Sequence, residues 1–133
     1  MNVVDSSGWI EYFADEENAD FFAEPIEQTG ELVVLTITLY EVFKHVLREE
    51  GRAEALEAVA YMKQGRVVDL NTPLAIKAAS TSHDLKLPMA DSIIVTTIRA
   101  NGAELWTQDA DFEELDGVRY IEKNGDDERG EAA

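Results

Sequence analysis

Short apolar runs alternate with longer stretches of helical periodicity along the whole chain. Val3-Val4 is apolar and β-branched and reads as a first strand. From Ser6 to Phe13, the apolar Trp9, Ile10 and Phe13 fall at i, i+1 and i+4, which predicts a helix with one apolar face. A second helix is expected over Asn18 to Gln28, broken near Pro25 and ended at Gly30. Leu32-Val33-Val34-Leu35 is a continuous apolar run, the form of a parallel strand buried on both faces. Thr38 to Glu50 reads as an amphipathic helix stopped at Gly51, and Arg52 to Gln64 as another stopped at Gly65. Val67-Val68 is a short strand. Pro73 to Leu85 and Pro88 to Asn101 read as helices with proline in the first turn, and Gly102 ends the second. Glu104 to Thr107 is a strand, Asp111 to Leu115 one helical turn, and Val118 to Ile121 a last strand. Strands alternating with helices throughout predict an α/β layer architecture around a mostly parallel sheet.

Composition narrows this picture. A chain of 133 residues that is 45% hydrophobic suits one domain. That domain is expected over residues 1–123, with the polar, glycine-containing stretch 124–133 as a disordered acidic tail. The absence of cysteine excludes a disulfide framework, a zinc–thiolate site and thiol chemistry. No apolar run approaches the roughly 20 residues of a membrane span, and MNVVDSSGWI lacks the basic start of a secretory signal. A cytoplasmic protein with no membrane partner is expected. The formal net charge is −17, from 28 acidic and 11 basic residues. Such a surface repels nucleic acid at low salt. It implies either a basic partner or a cytosol of very high salt, where charge is screened. Acidic residues are spread along the whole chain, which favours the halophilic reading over a single partner patch.

Four acids sit where predicted strands hand over to predicted helices: Asp5, Glu41, Asp91 and Asp109. If the strands are parallel, those handovers share one sheet edge, outside the carboxyl ends of the strands where α/β sheets carry their sites. Four carboxylates in one crevice repel unless cations lie between them, and hard divalent cations are the natural occupants. Such a site points to metal-assisted attack on a phosphodiester. Each acid also has a structural account. Asp5 could N-cap the first helix, and Thr38 to Glu41 matches a capping box. Asp91 suits the dipole of a first helical turn, and Asp109 and Asp111 could cap the turn holding Phe112. Taken singly, capping is the simpler account of each. Taken together, the recurrence of acids rather than serine, threonine or asparagine favours a site.

Three segments, VVDSSGWIEYF, LTITLYEVFKHVLR and LPMADSIIVTTIRANGAELWTQDADF, resemble the PIN-domain nucleases, specifically the VapC-like toxin ribonucleases. They cover most of the chain in that family's order and spacing. The last is the most specific, with its helix start at Ala90-Asp91, its glycine turn and its strand running into Thr107-Gln108-Asp109. The resemblance implies a compact three-layer α/β/α sandwich with a central, mostly parallel sheet. It implies Mg²⁺- or Mn²⁺-dependent cleavage of RNA, a small antitoxin protein as partner, and a homodimer. The family's acidic positions fall on Asp5, Glu41, Asp91 and Asp109, with Asp111 as a less constant fifth. Ser6 resembles the hydroxyl that follows the first acid, and Thr107 the hydroxyl before the fourth. On this reading Asp5 and Asp91 are direct metal ligands, and Asp109 and Glu41 are outer or second-metal groups. The chain departs from most relatives in its acidity and in Ser92, where many have alanine.

Glu41, Lys44, His45, Arg48 and Arg52 share one helical face, opposite Leu39, Val42, Phe43, Val46 and Leu47. Lys44 and Arg48 there would form a rail for RNA phosphates; the alternative is the solvated side of an amphipathic helix. His45 and His83 lie in no motif with an orienting partner and are not expected to act as bases. Trp9, Tyr12, Phe13, Phe21 and Phe22 suit core and dimer packing better than base stacking. Two other functions compete: a PIN-fold module that binds RNA or protein without cutting, and an acidic-pocket phosphatase. Retention of all four acids speaks against the first. The second would want Asp-x-Asp after the first strand, where this chain has Asp5-Ser6-Ser7.

Overall fold

The fold is a computed structural model describing residues 1–123, so the expected tail at 124–133 lies outside the described residues. Five strands form one sheet: β1 (Asn2–Val4), β2 (Leu32–Leu35), β3 (Arg66–Val68), β4 (Glu104–Thr107) and β5 (Val118–Tyr120). Their order is β3-β2-β1-β4-β5, and every pairing is parallel. Among the described residues six helices make the connections: α1 (Ser6–Phe13), α2 (Ala19–Glu27), α3 (Thr36–Glu50), α4 (Arg52–Met62), α5 (Thr72–Leu85) and α6 (Met89–Asn101).

Successive strand side chains point to opposite faces, so each apolar run feeds two cores. Val4, Leu32, Val34 and Trp106 join Trp9, Phe22, Ile26, Val42 and Met62 beneath α1 to α4. Val3, Val33, Leu35 and Leu105 join Ala78, Ile93, Ile94, Ile98 and Phe112 beneath α5 and α6. This is the three-layer α/β/α sandwich with a parallel sheet, and burial on both faces explains why β2 is apolar without alternation. Trp9 and Phe22 are fully buried in the first core, with Tyr12, Phe13 and Phe21 packed against it, so these aromatics serve the interior. At Gly8 the packing is so close that a Cβ would lie 2.6 Å from the Phe22 ring and 2.7 Å from Val4. Among the described residues no helix is long and apolar enough to cross a membrane.

The structure corrects several local expectations. Helix α3 starts at Thr36, two residues early, because β2 runs directly into it; Leu35 occupies the cap position with no side-chain cap bond. Thr38 therefore lies inside the helix, buried to 1% exposure, and the capping box with Glu41 does not form. Pro25 does not break α2, which continues to Glu27 with Pro25 buried inside it. Its ring takes one N–H out of the ladder, while the flanking Phe22 and Ile26 are fully buried in the core. Gly51, at φ 100, separates α3 from α4, so Arg52 begins a new helix and leaves the expected cationic face. The last helical turn is a 3₁₀ turn over Ala110–Phe112 and not 111–115.

Candidate active site

An all-parallel sheet places the carboxyl ends of β1, β2 and β4 on one edge. Asp5 is the first residue past β1 and N-caps α1. Its Oδ1 accepts from the Gly8 amide at 2.9 Å and from Ser7 Oγ at 3.1 Å. Its Oδ2 accepts from Thr107 Oγ1 at 2.6 Å, across the end of β4. Asp5 is 4% exposed. Burial pushes its carboxyl up to about 6, against the opposing pull of the Thr107, Gly8 and Ser7 donors, and nearby Asp109 adds to the rise.

Thr107 also ties the next acid in place, because its Oγ1 accepts from the Asp109 amide at 2.9 Å. Asp109 in turn accepts from the Asp111 amide at 2.9 Å, closing the turn that follows β4. Asp91 lies in the first turn of α6 and faces this loop. One carboxylate oxygen from each of Asp91, Asp109 and Asp111 lies within 4.8 Å of the others. Burial, then Asp109, Asp111 and Glu41, raise the Asp91 carboxyl above its ordinary value. Glu41, half-buried on the second turn of α3, is thus close enough for its charge to be felt at Asp91.

The fold therefore brings all four sequence-predicted acids to one sheet edge. Capping and convergence coexist: Asp5 caps α1 and Asp109 caps the 3₁₀ turn, while the charge of Asp109 is felt at both Asp5 and Asp91. The tightest group contains Asp111, the fifth acid, with Asp5 and Glu41 outside that trio. The hydroxyl that bonds Asp5 from α1 is Ser7, not Ser6; Ser6 is half-buried at the helix start. Glu41, Lys44, His45 and Arg48 line a shallow groove together with Ile10 and Tyr40. Lys44 Nζ lies 5.9 Å from the Tyr40 ring centre, and Arg48 pairs with Glu49 at 3.0 Å and with His45 Nδ1 at 3.2 Å. His83 sits on α5 beside Asp84 at 3.2 Å, exposed. The donor set at the edge is all oxygen, and three mutually repelling carboxylates at this spacing fit a hard divalent cation.

A family model described as the PIN domain matches residues 3–118. No curated protein matches the chain significantly. Solved structures do. A toxin–antitoxin complex from Klebsiella pneumoniae superimposes with a TM-score of 0.78 at 20% identity, covering 92% of this chain and 100% of that one. Mycobacterium tuberculosis VapC20, a Sarcin-Ricin loop cleaving toxin, gives 0.72 at 19% identity over 89% of this chain and 97% of its own. DNA-bound VapBC from Salmonella typhimurium gives 0.70 at 18% identity over 91% and 96%. At these identities the likeness to solved structures is one of fold.

Proposed function

The chain belongs to the PIN-domain family, and from that membership and its acid cluster we propose that it is a metal-dependent endoribonuclease, the toxin of a toxin–antitoxin pair. The observation that carries the proposal is the trio Asp91, Asp109 and Asp111, with carboxylate oxygens within 4.8 Å at the strand ends. Mg²⁺ or Mn²⁺ would be held by Asp91 and Asp109, with Asp111 and Asp5 beside them. Bound there, the cation supplies Lewis acidity toward a phosphodiester oxygen and a lowered pKa for water. The remaining tasks fall to this chain's own groups. Thr107 fixes Asp5 and the Asp109 backbone together through its one hydroxyl. Glu41 adds negative charge on the side of the cluster facing α3. Lys44 and Arg48, in the adjoining groove, meet RNA phosphates, and Ser6 offers a hydroxyl at the start of α1. Cytoplasmic action, an antitoxin partner and a homodimer belong to the same reading; the Klebsiella structure is itself a toxin–antitoxin complex.

The test is cleavage of total RNA by purified protein with Mn²⁺, with Mg²⁺ and with chelator, followed by sequencing of the new ends. Cutting at defined positions that needs the cation and disappears in Asp91→Asn is expected. Cutting unaffected by chelator or by Asp91→Asn, or no cutting under any cation, would overturn the reading.

A further inference from the structure

The acid site hangs on the backbone leaving β4, and the middle residue of that exit reaches away from the acids. Thr107 and Asp109 serve the site, while Gln108 between them contacts α1 and the α1–α2 connection. Its Oε1 accepts from Asn18 Nδ2 at 3.0 Å, and its Nε2 donates to Glu11 Oε1 at 3.3 Å. Glu11 Oε2 accepts from the Asn18 backbone amide at 2.9 Å, which closes a cycle of three residues. All three are buried, at 4% exposure for Glu11, 6% for Asn18 and 8% for Gln108. Asn18 occupies the N-cap position of α2, a place where asparagine ordinarily caps, yet it makes no side-chain cap bond. Its amide is committed instead to Gln108 and to the Glu122 carbonyl at 3.2 Å. Lys123 Nζ lies 4.0 Å from Glu11, so the segment after β5 joins the same knot.

A mechanical role follows from the charges. Asp91, Asp109 and Asp111 repel one another, and Asp91 is anchored on a long helix. The β4 exit is a loop tied on the acid side by the Thr107 hydroxyl, and the repulsion pushes it outward unless its other side is held as well. We propose that Gln108, gripped by Glu11 and Asn18, is a positioning residue that holds the β4 exit from the side opposite Thr107, so that Asp109 and Asp111 keep the spacing the cluster needs. This rests on the reading of the cluster as a divalent-cation site. Groups that orient metal ligands without touching the metal typically contribute 10–100-fold in affinity or activity, so a loss of at least about tenfold is expected here.

The experiment compares wild type, Gln108→Glu, Gln108→Met and the exchange Glu11→Gln with Gln108→Glu. Gln108→Glu sets two carboxylates face to face; the exchange restores one amide and one carboxylate, with acceptors again offered to both Asn18 donors. Three readouts are taken: amide hydrogen exchange at residues 109–111 without metal, Mn²⁺ affinity by calorimetry, and RNA cleavage per folded molecule. Faster exchange at 109–111 and Mn²⁺ binding weakened by about tenfold or more are expected in Gln108→Glu, with most of both recovered in the exchange. Gln108→Met serves if Gln108→Glu does not fold, with the same losses expected. A lower melting temperature with exchange at 109–111 and Mn²⁺ affinity unchanged would overturn the proposal, as would an exchange variant no better than the single one. Wild type that fails to bind Mn²⁺ overturns it too. Wild type that binds Mn²⁺ but cuts no RNA sinks the nuclease reading alone.

Discussion

Asp5 separates a cap from an active-site acid more sharply than any other residue. As a helix cap, aspartate and asparagine are nearly equivalent, so Asp5→Asn should be neutral at every pH if capping is its whole role. The structure gives a different expectation. Burial raises the Asp5 carboxyl from 3.8 to about 6, so the folded protein prefers it protonated. A carboxyl whose folded pKa lies above its unfolded one stabilises fully below the unfolded value, and that stability is lost as pH rises through the folded value. The difference between 3.8 and 6 corresponds to about 3 kcal/mol lost between roughly pH 4 and pH 7. The neutral amide of the Asp5→Asn variant carries no such penalty. Its NH₂ cannot accept the hydrogen that Thr107 Oγ1 gives to Oδ2, a loss of about 1 kcal/mol. Relative to wild type, Asp5→Asn should therefore be about 1 kcal/mol less stable near pH 4 and about 2 kcal/mol more stable at pH 7, while cleavage is lost. The assay is urea unfolding of both proteins across that pH range at one fixed KCl concentration. A stability difference that stays flat with pH would refute the burial argument. An active Asp5→Asn would refute the site assignment.

Three further outcomes are expected. Glu41→Gln should leave the melting temperature nearly unchanged, since Glu41 caps nothing, and should lower RNA cleavage by about tenfold or more; a large loss of stability with cleavage per folded molecule retained would reverse this. Melting temperature and cleavage should both rise as KCl enters the molar range, because screening relieves the self-repulsion of a −17 chain, and a maximum near 0.1 M would refute the halophilic reading. Light scattering at working salt should show a homodimer, and a monomer at high micromolar concentration would count against it.

The elements were legible because β1, β2 and β3 carry compact apolar runs and α3 and α6 end at Gly51 and Gly102. The convergence of the acids was legible once the strands were taken as parallel, since position in an α/β chain then determines sheet edge. What stayed hidden is what depends on distant partners. Nothing near Thr38 says that β2 runs straight into α3; the choice is made by Ile37 packing under the sheet and Thr38 turning inward. Ser6 and Ser7 are indistinguishable as neighbours of Asp5 until the helix turns one of them toward it. Glu11, Asn18 and Gln108 carry no motif at all. Their bonds span 90 and 97 residues, and a buried glutamate within an amphipathic helix reads locally as a solvent-facing one.

The sheet order also sets a clock. β1 lies at the centre, flanked by β2 and β4, so it stays open on one side until β4 is made. The acids are drawn from the same span, and 104 residues separate Asp5 from Asp109 (109 minus 5). At about 5–20 residues per second, a growing chain spends roughly 5–20 s with Asp5 in place and no cluster to join. Throughout that interval the acids after β1 and on α3 have no partners from the β4 exit. On the proposed reading, a partner that covers the assembled acids would have a surface to bind only after β4 emerges.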